Sequence, residues 1–319
     1  MRYLKTRLLV LFISLLVLNG CTQQVEQPVT IGINPWPGYE FLYLAEKKGF
    51  FKEVGANIKI SQLSSLANAQ RAYVNGHIDG LASTIIETVQ AEVLGGSPLK
   101  IILVPDYSNG GDVILAHKSV KDIAGLKGKT VGCEVSSLGI YVLQRALVKH
   151  SLSLSDIKIV NIEQSDGEQA MLSRKIDAYV SYPPVSIAIA KHKQFKKIFS
   201  SADIPKEIID TISLSVKVLQ SHPGIVKKIR KAWQMALDYA EQNPEDANKI
   251  MAEREGVTPD EFKDVLSDLI VLNNKQQQEL FANPDILRNA TLSVCKTLTH
   301  VNSIETNCDQ LPDLVYREK

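Results

Sequence analysis

The chain of 319 residues has only four cysteines and six histidines, and they are scattered. No CxxC or HxxxH spacing occurs, which removes the common zinc, iron–sulfur and thiol-redox patterns and leaves no metal or cofactor expected. There is no GxSxG, and no serine, histidine and aspartate whose spacing assigns them as a catalytic set. An excess of one charge is also missing: 36 Lys and Arg against 35 Asp and Glu give a formal net charge of +1. A near-neutral chain carries no electrostatic footprint for nucleic acid. The long apolar run "LLVLFISLLVL" (8–18) stands alone, and it is shorter than the about 20 residues that a spanning helix needs.

What is present begins at that run. Arg2, Lys5 and Arg7 precede it, which makes residues 1–20 read as an export signal. The following "LNGC" (18–21) resembles a bacterial lipobox, which implies an exported chain lipid-anchored through Cys21. It would face the periplasm or the cell exterior, with 21–27 as a tether. Export permits a disulfide between Cys295 and Cys308, worth roughly 3 kcal/mol in the loop-entropy model. Helix geometry could equally hold the two apart. Cys133, in the strand-like "TVGCE", reads as a small buried apolar residue rather than a nucleophile.

From Val29 the chain alternates strand and helix. "VTIGI" (29–33), "NIKI" (57–60), "IDGLA" (78–82) and "KIILVP" (100–105) read as strands, with helices between them that stop at Gly49, Gly76 and Gly95. The alternation resumes with "KTVGCEV" (129–135), a helix over 138–150, "IKIVNI" (157–162), a helix over 167–174 and "IDAYVS" (176–181). This order predicts an α/β fold with mostly parallel sheets. After "TISLSV" (211–216) the pattern becomes helical alone, over 222–242, 244–255 and 259–269. An internal echo stands out: "QRAYVNGHIDGLAST" (70–84) and "QAMLSRKIDAYVSY" (169–182) both run helix, Ile-Asp, strand, Ser. Two similar units suggest two lobes with strand ends facing across a cleft, because open parallel sheets bind ligands there.

The stretch "INPWPGYEF" (33–41) sets a tryptophan between two prolines at a strand–helix junction. Pro35 and Pro37 lack amide donors, so the junction reads as a stiff, partly open turn that holds Trp36 and Tyr39 as an aromatic wall or as a packed plug.

Several segments together resemble the type II periplasmic solute-binding proteins of ABC importers, in the group that binds nitrate, sulfonates, taurine and thiamine-pyrimidine precursors. They include "GYEFLYLAEKKGFFKEVG" (38–55), "AYVNGHIDGLAST" (72–84), "VKDIAGLKGKTVG" (120–132), "SLGIYVLQRAL" (137–147), "KIDAYVSYPP" (175–184) and "HPGIVKKIRKAW" (222–233). The resemblance implies a two-lobed fold with lobe one over 28–111 and 210–319 and lobe two over 112–209. The helical tail would pack back on lobe one. It also implies a monomer that captures a small organic molecule and hands it to an ABC permease, or reports it to a membrane sensor. An enzyme of pyrimidine-precursor type is the remote alternative.

Ligand-facing positions follow from the same match. In lobe one these are Trp36, Tyr39, Ser83, Thr84 and Glu87, although Ser83 and Thr84 also suit helix capping. The hinge "DYSNGGD" adds Asp106, Tyr107, Ser108 and Asp112, or serves simply as a turn. In lobe two, Ser136, Ser137 and Gly139 open a helix, Tyr141 follows, and Tyr182 stands where relatives commonly carry tryptophan. Pro183 replaces an acidic residue often found beside it. No lysine or arginine falls on these positions, so aromatics with nearby acids favour a pyrimidine-like or amine solute over sulfonate or nitrate.

Overall fold

Aliphatic and β-branched residues build twelve strands in the computed structural model, which describes residues 27–318. The export signal, Cys21 and all but the end of the tether lie outside the described residues. The first sheet has the order β2-β1-β3-β11-β4, with β1 Val29–Ile33, β2 Ile58–Gln62, β3 Gly80–Thr84, β4 Leu99–Leu103 and β11 Asp210–Ser215. The second has the order β10-β6-β9-β7-β8, with β6 Val113–His117, β7 Thr130–Cys133, β8 Lys158–Asn161, β9 Ala178–Ser181 and β10 Phe195–Ser200. In each sheet four strands run in one direction and one antiparallel strand lies between two of them: β11 between β3 and β4, β6 between β9 and β10. This is the two-lobed periplasmic-binding-protein architecture.

The Ile-Asp echo has a physical meaning. Asp79 and Asp177 stand just before β3 and β9, and their carboxylates accept the Thr30 and Thr130 amides, each at 2.9 Å. Each aspartate amide donates back to the same threonine's carbonyl. The isoleucines pack over glycines of the first strands. A Cβ on Gly32 would lie 2.5 Å from Ile78 Cδ1, and one on Gly132 would lie 2.8 Å from Ile176 Cδ1. So β3 and β9 start at residues 80 and 178, two later than the pattern predicts, because Ile-Asp staples the sheet instead of extending the ladder.

Two other expectations are corrected. The segment after β11 is not purely helical: β12, Leu269–Val271, pairs antiparallel with β5, Asp106–Ser108, at the hinge. The strand-like run 211–216 also ends one residue early, at Ser215, whose hydroxyl accepts the Val218 amide and starts the Val216–Ser221 helix. Pro223 and Gly224, the latter at φ 78°, separate that helix from Ile225–Gln242. Cys295 and Cys308 are bridged, which resolves the alternative left open by spacing. The Asp285–His300 helix carrying Cys295 lies against Ile85–Val93, where Gln90 donates to Ser303 Oγ at 3.0 Å. The chain end then runs beside β4, with Ile101 donating to the Leu314 carbonyl at 2.7 Å.

Candidate functional site

The carboxyl ends of β1 and β3 in lobe one face those of β7 and β9 in lobe two, and the junction following each strand forms the cleft. The Pro35–Pro37 turn is not partly open, as its missing amides suggest. Trp36 and Tyr39 are 4% and 0% exposed, because lobe two closes over them. Tyr182 sets its ring edge-on to Trp36 at 6.2 Å, and its hydroxyl accepts the Leu66 amide across the cleft at 3.2 Å.

Beneath this aromatic wall lie three carboxyl groups. The Trp36 indole N–H donates to Asp106, 3.4 Å from both oxygens, and the Tyr39 hydroxyl donates to Asp210. Gly38 is required here: a Cβ would sit 1.8 Å from Asp106 Oδ2. Burial pushes Asp106 and Asp112 up to about 7, with Asp112 adding to the rise at Asp106 and Glu87 to that at Asp112. Burial and then the Asp106 charge raise Asp210 well above the carboxylate range.

Glu87 joins the lobes. Its Oε2 caps its own helix, accepting the Thr84 amide at 3.0 Å and the Thr84 hydroxyl at 2.6 Å. Its Oε1 reaches across to accept the Ser137 hydroxyl and the Leu138 amide, both at 2.7 Å, at the start of the Leu138–Lys149 helix. A carboxylate from lobe one therefore fills the positive helix terminus of lobe two. Glu134, just after β7, accepts the Gln164 amide of its own lobe at 3.3 Å. Burial pushes Glu134 up to about 7.

About 180 Å³ of non-atom space remains in the cleft, divided so finely that no water-sized sphere fits. Its polar lining is Asn34, Thr84, Asp112 and Asp210, and its walls are Trp36, Tyr39, Leu66 and Leu138. Entry of a solute therefore requires the lobes to part.

The other expected site residues sit elsewhere. Ser136 is exposed, outside the cleft floor. Strand alternation turns Tyr107 to the opposite face of β5 from Asp106 and Ser108, where it lies half-buried and bridges to Ile209. Ser108 braces the hinge, its hydroxyl 2.8 Å from that of Ser201. Ser83 joins Thr88 and Thr211 in a buried hydroxyl network within lobe one. Tyr141 turns to Glu207, itself bound to Arg145 at 2.6 Å. Gly139 gives clearance rather than contact to a solute, since a Cβ would meet the Glu134 carbonyl at 2.9 Å. Asn34, Asp210 and Glu134 were missed by sequence reasoning. The legible signal was an acid directly ahead of the crossing strand, which was read from Thr211 instead.

Comparison with known proteins gives the family and the fold. The "NMT1/THI5 like" family profile matches residues 36–247, two thirds of the chain. The chain belongs to the NMT1/THI5-like family. It is 28% identical over 153 residues to a protein of Brucella abortus, covering 44% of this chain and 45% of that one. The chain thus spans about half the length of the first curated relatives it matches. It is 22% identical over 229 residues to the 4-amino-5-hydroxymethyl-2-methylpyrimidine phosphate synthase THI11 of Saccharomyces cerevisiae, covering 67% of each. The fold matches the periplasmic aliphatic sulphonate binding protein SsuA of Escherichia coli at a TM-score of 0.71 and 16% identity, covering 90% of this chain and 96% of that one.

Proposed function

We propose that the protein is a lipid-anchored solute receptor that captures a small, flat or amine-bearing organic molecule between its lobes and presents it to an ABC importer. The observation that carries this reading is the cleft itself: an aromatic wall of Trp36, Tyr39 and Tyr182 over buried carboxyl groups, reachable only by lobe opening. Closure then adds ligand contacts that the open state lacks, which shifts the population toward closed. The sulfonate-binding neighbour supports receptor work, and the synthase relative supports a pyrimidine-like solute.

A catalytic reading fits these residues less well. Cys133 is fully buried, its thiol pushed up to about 12 by burial, so it supplies no thiolate. Among the described residues no cluster of histidine, cysteine and acids is arranged for a metal.

The test is a thermal-shift screen against pyrimidines, amines, sulfonates and nitrate, repeated with Trp36→Ala. A ligand at 100 times its Kd should add about 2.7 kcal/mol. A shift that disappears in Trp36→Ala supports the reading. Silence from every class, or a shift untouched by the substitution, counts against it.

A further inference from the structure

Three buried oxygens at the cleft floor have no hydrogen-bond partner among the described residues: Asn34 Oδ1, Asp112 Oδ2 and Asp210 Oδ2. Their residues are at most 2% exposed, and all three line the residual cavity. They arrive from three separate places, the end of β1, the crossing before β6 and the first residue of β11. An acceptor left unpaired in the interior costs its full desolvation, so such groups are normally matched. The Asn34 amide nitrogen is already committed to the Pro35 carbonyl at 2.9 Å, which leaves its oxygen as the free end. In the ionised form of the two carboxyls, what the three oxygens lack is a donor.

The surroundings decide the donor's charge. No lysine or arginine lines the cavity. The titratable groups facing Asp112 and Asp210 are Asp106 from β5, Glu87 from the Ile85–Val93 helix and Tyr39 from the turn after β1, none of them basic. The place where an anion would dock, the Leu138 helix terminus, is already taken by Glu87 Oε1. The protein thus supplies its own carboxylate where an anionic solute would bring one.

We infer that Asn34, Asp112 and Asp210 form a subsite for an organic nitrogen cation (an ammonium or an amidinium) and that Glu87 excludes anions from the cleft. The inference rests on the solute-receptor reading and adds the charge of the ligand. Entry of the cation releases one proton from the carboxyl cluster to solvent, so the net charge of the cleft is unchanged. Affinity therefore rises with pH until that carboxyl is ionised in the free protein. The raised carboxyl range of Asp112 agrees with this direction.

The experiment is calorimetry on the full chain at pH 6 and pH 8 with four probes. Two are cationic, benzamidinium and 4-amino-5-aminomethyl-2-methylpyrimidine; one is neutral, 4-amino-5-hydroxymethyl-2-methylpyrimidine; one is anionic, benzenesulfonate. The expected result is that at least one cation binds about tenfold or more tighter than the neutral and anionic probes. It should bind more tightly at pH 8 than at pH 6, with a proton released in buffers of different ionisation heat. Asp112→Asn should weaken that cation about tenfold or more and flatten its pH dependence. Asp210→Asn serves if the first variant does not fold, and Glu87→Gln should admit benzenesulfonate. Neutral or sulfonate binding as tight as the cations overturns the inference while leaving the receptor reading standing. Silence from both cations at about 10 mM, a concentration at which even the roughly 4 kcal/mol of a millimolar contact registers, also overturns it. Silence from every class in the wider screen counts against the receptor reading itself.

Discussion

The two lobes share a scaffold and differ where they meet. Each lays its first strand beside a third strand stapled by Ile-Asp, with Gly32 and Ile78 in one matching Gly132 and Ile176 in the other. Each brings back one antiparallel strand in the same place. At the mouths the match breaks down. β1 is followed by Asn34 and the Pro-Trp-Pro turn, whereas β7 is followed by Glu134 and passes into a helix. β3 ends at Thr84, with Glu87 one turn on; β9 ends before Tyr182 and the proline pair. Positions that hold a sheet together match in the two units, and positions that face the opposite lobe differ, because only the latter meet different neighbours.

The comparison breaks most sharply between the two tryptophans. Trp233 is wholly buried within lobe one and donates to the Leu272 carbonyl at 2.9 Å, so Trp233→Ala should cost about 3–5 kcal/mol in a denaturant melt. Trp36 is buried between lobes, and Trp36→Ala should cost less than about half as much, since each lobe keeps its own core. Equal losses would mean that the turn belongs to the lobe-one core and not to the cleft.

Protonation separates the cleft from the rest of the molecule. Asp112 has a folded value of about 7, above its unfolded value, so the folded chain holds a proton that the unfolded chain has released. The stability this contributes is complete below about pH 4 and is lost as pH rises toward about 7, by at most about 1.4 kcal/mol per pH unit. Melting across that range should show a flatter profile for Asp112→Asn than for the parent chain. An unchanged profile would place an ionised Asp112 in the free protein.

The echo itself is open to a matched pair of substitutions. Asp79→Ala and Asp177→Ala each remove a carboxylate-to-amide bond of the same length, and each should cost about 1 kcal/mol, alike to within about 0.5. A large asymmetry would show that one lobe depends on its staple and the other does not. Smallest of all is the rim pair Arg71–Glu163 at 3.3 Å, half-exposed across the lobes, where Arg71→Ala should change stability by about 0–1 kcal/mol.

Much of this molecule could be read from local signals. Glycine stops, the capping hydroxyls of Ser83 and Thr84 and the period of apolar residues each act over a few residues, so the elements and the repeat were legible. The roles of Tyr107, Ser136 and Tyr141 were not. Whether a hinge or helix residue points into a cleft depends on strand face and helix phase, and a shift of one residue reverses it. The same holds for Glu87, expected to face a ligand, which instead reaches a helix 51 residues away.

The sequence alone therefore determined the α/β alternation, the paired units and the chemistry available at their strand ends, since these rest on neighbours close along the chain. Tertiary structure alone decided which groups meet. Trp36 finds Asp106 across 70 residues and Tyr39 finds Asp210 across 171. Burial of three carboxyl groups without a cation emerges only when lobe one and lobe two close on each other, because desolvation belongs to the packed assembly and to no segment by itself.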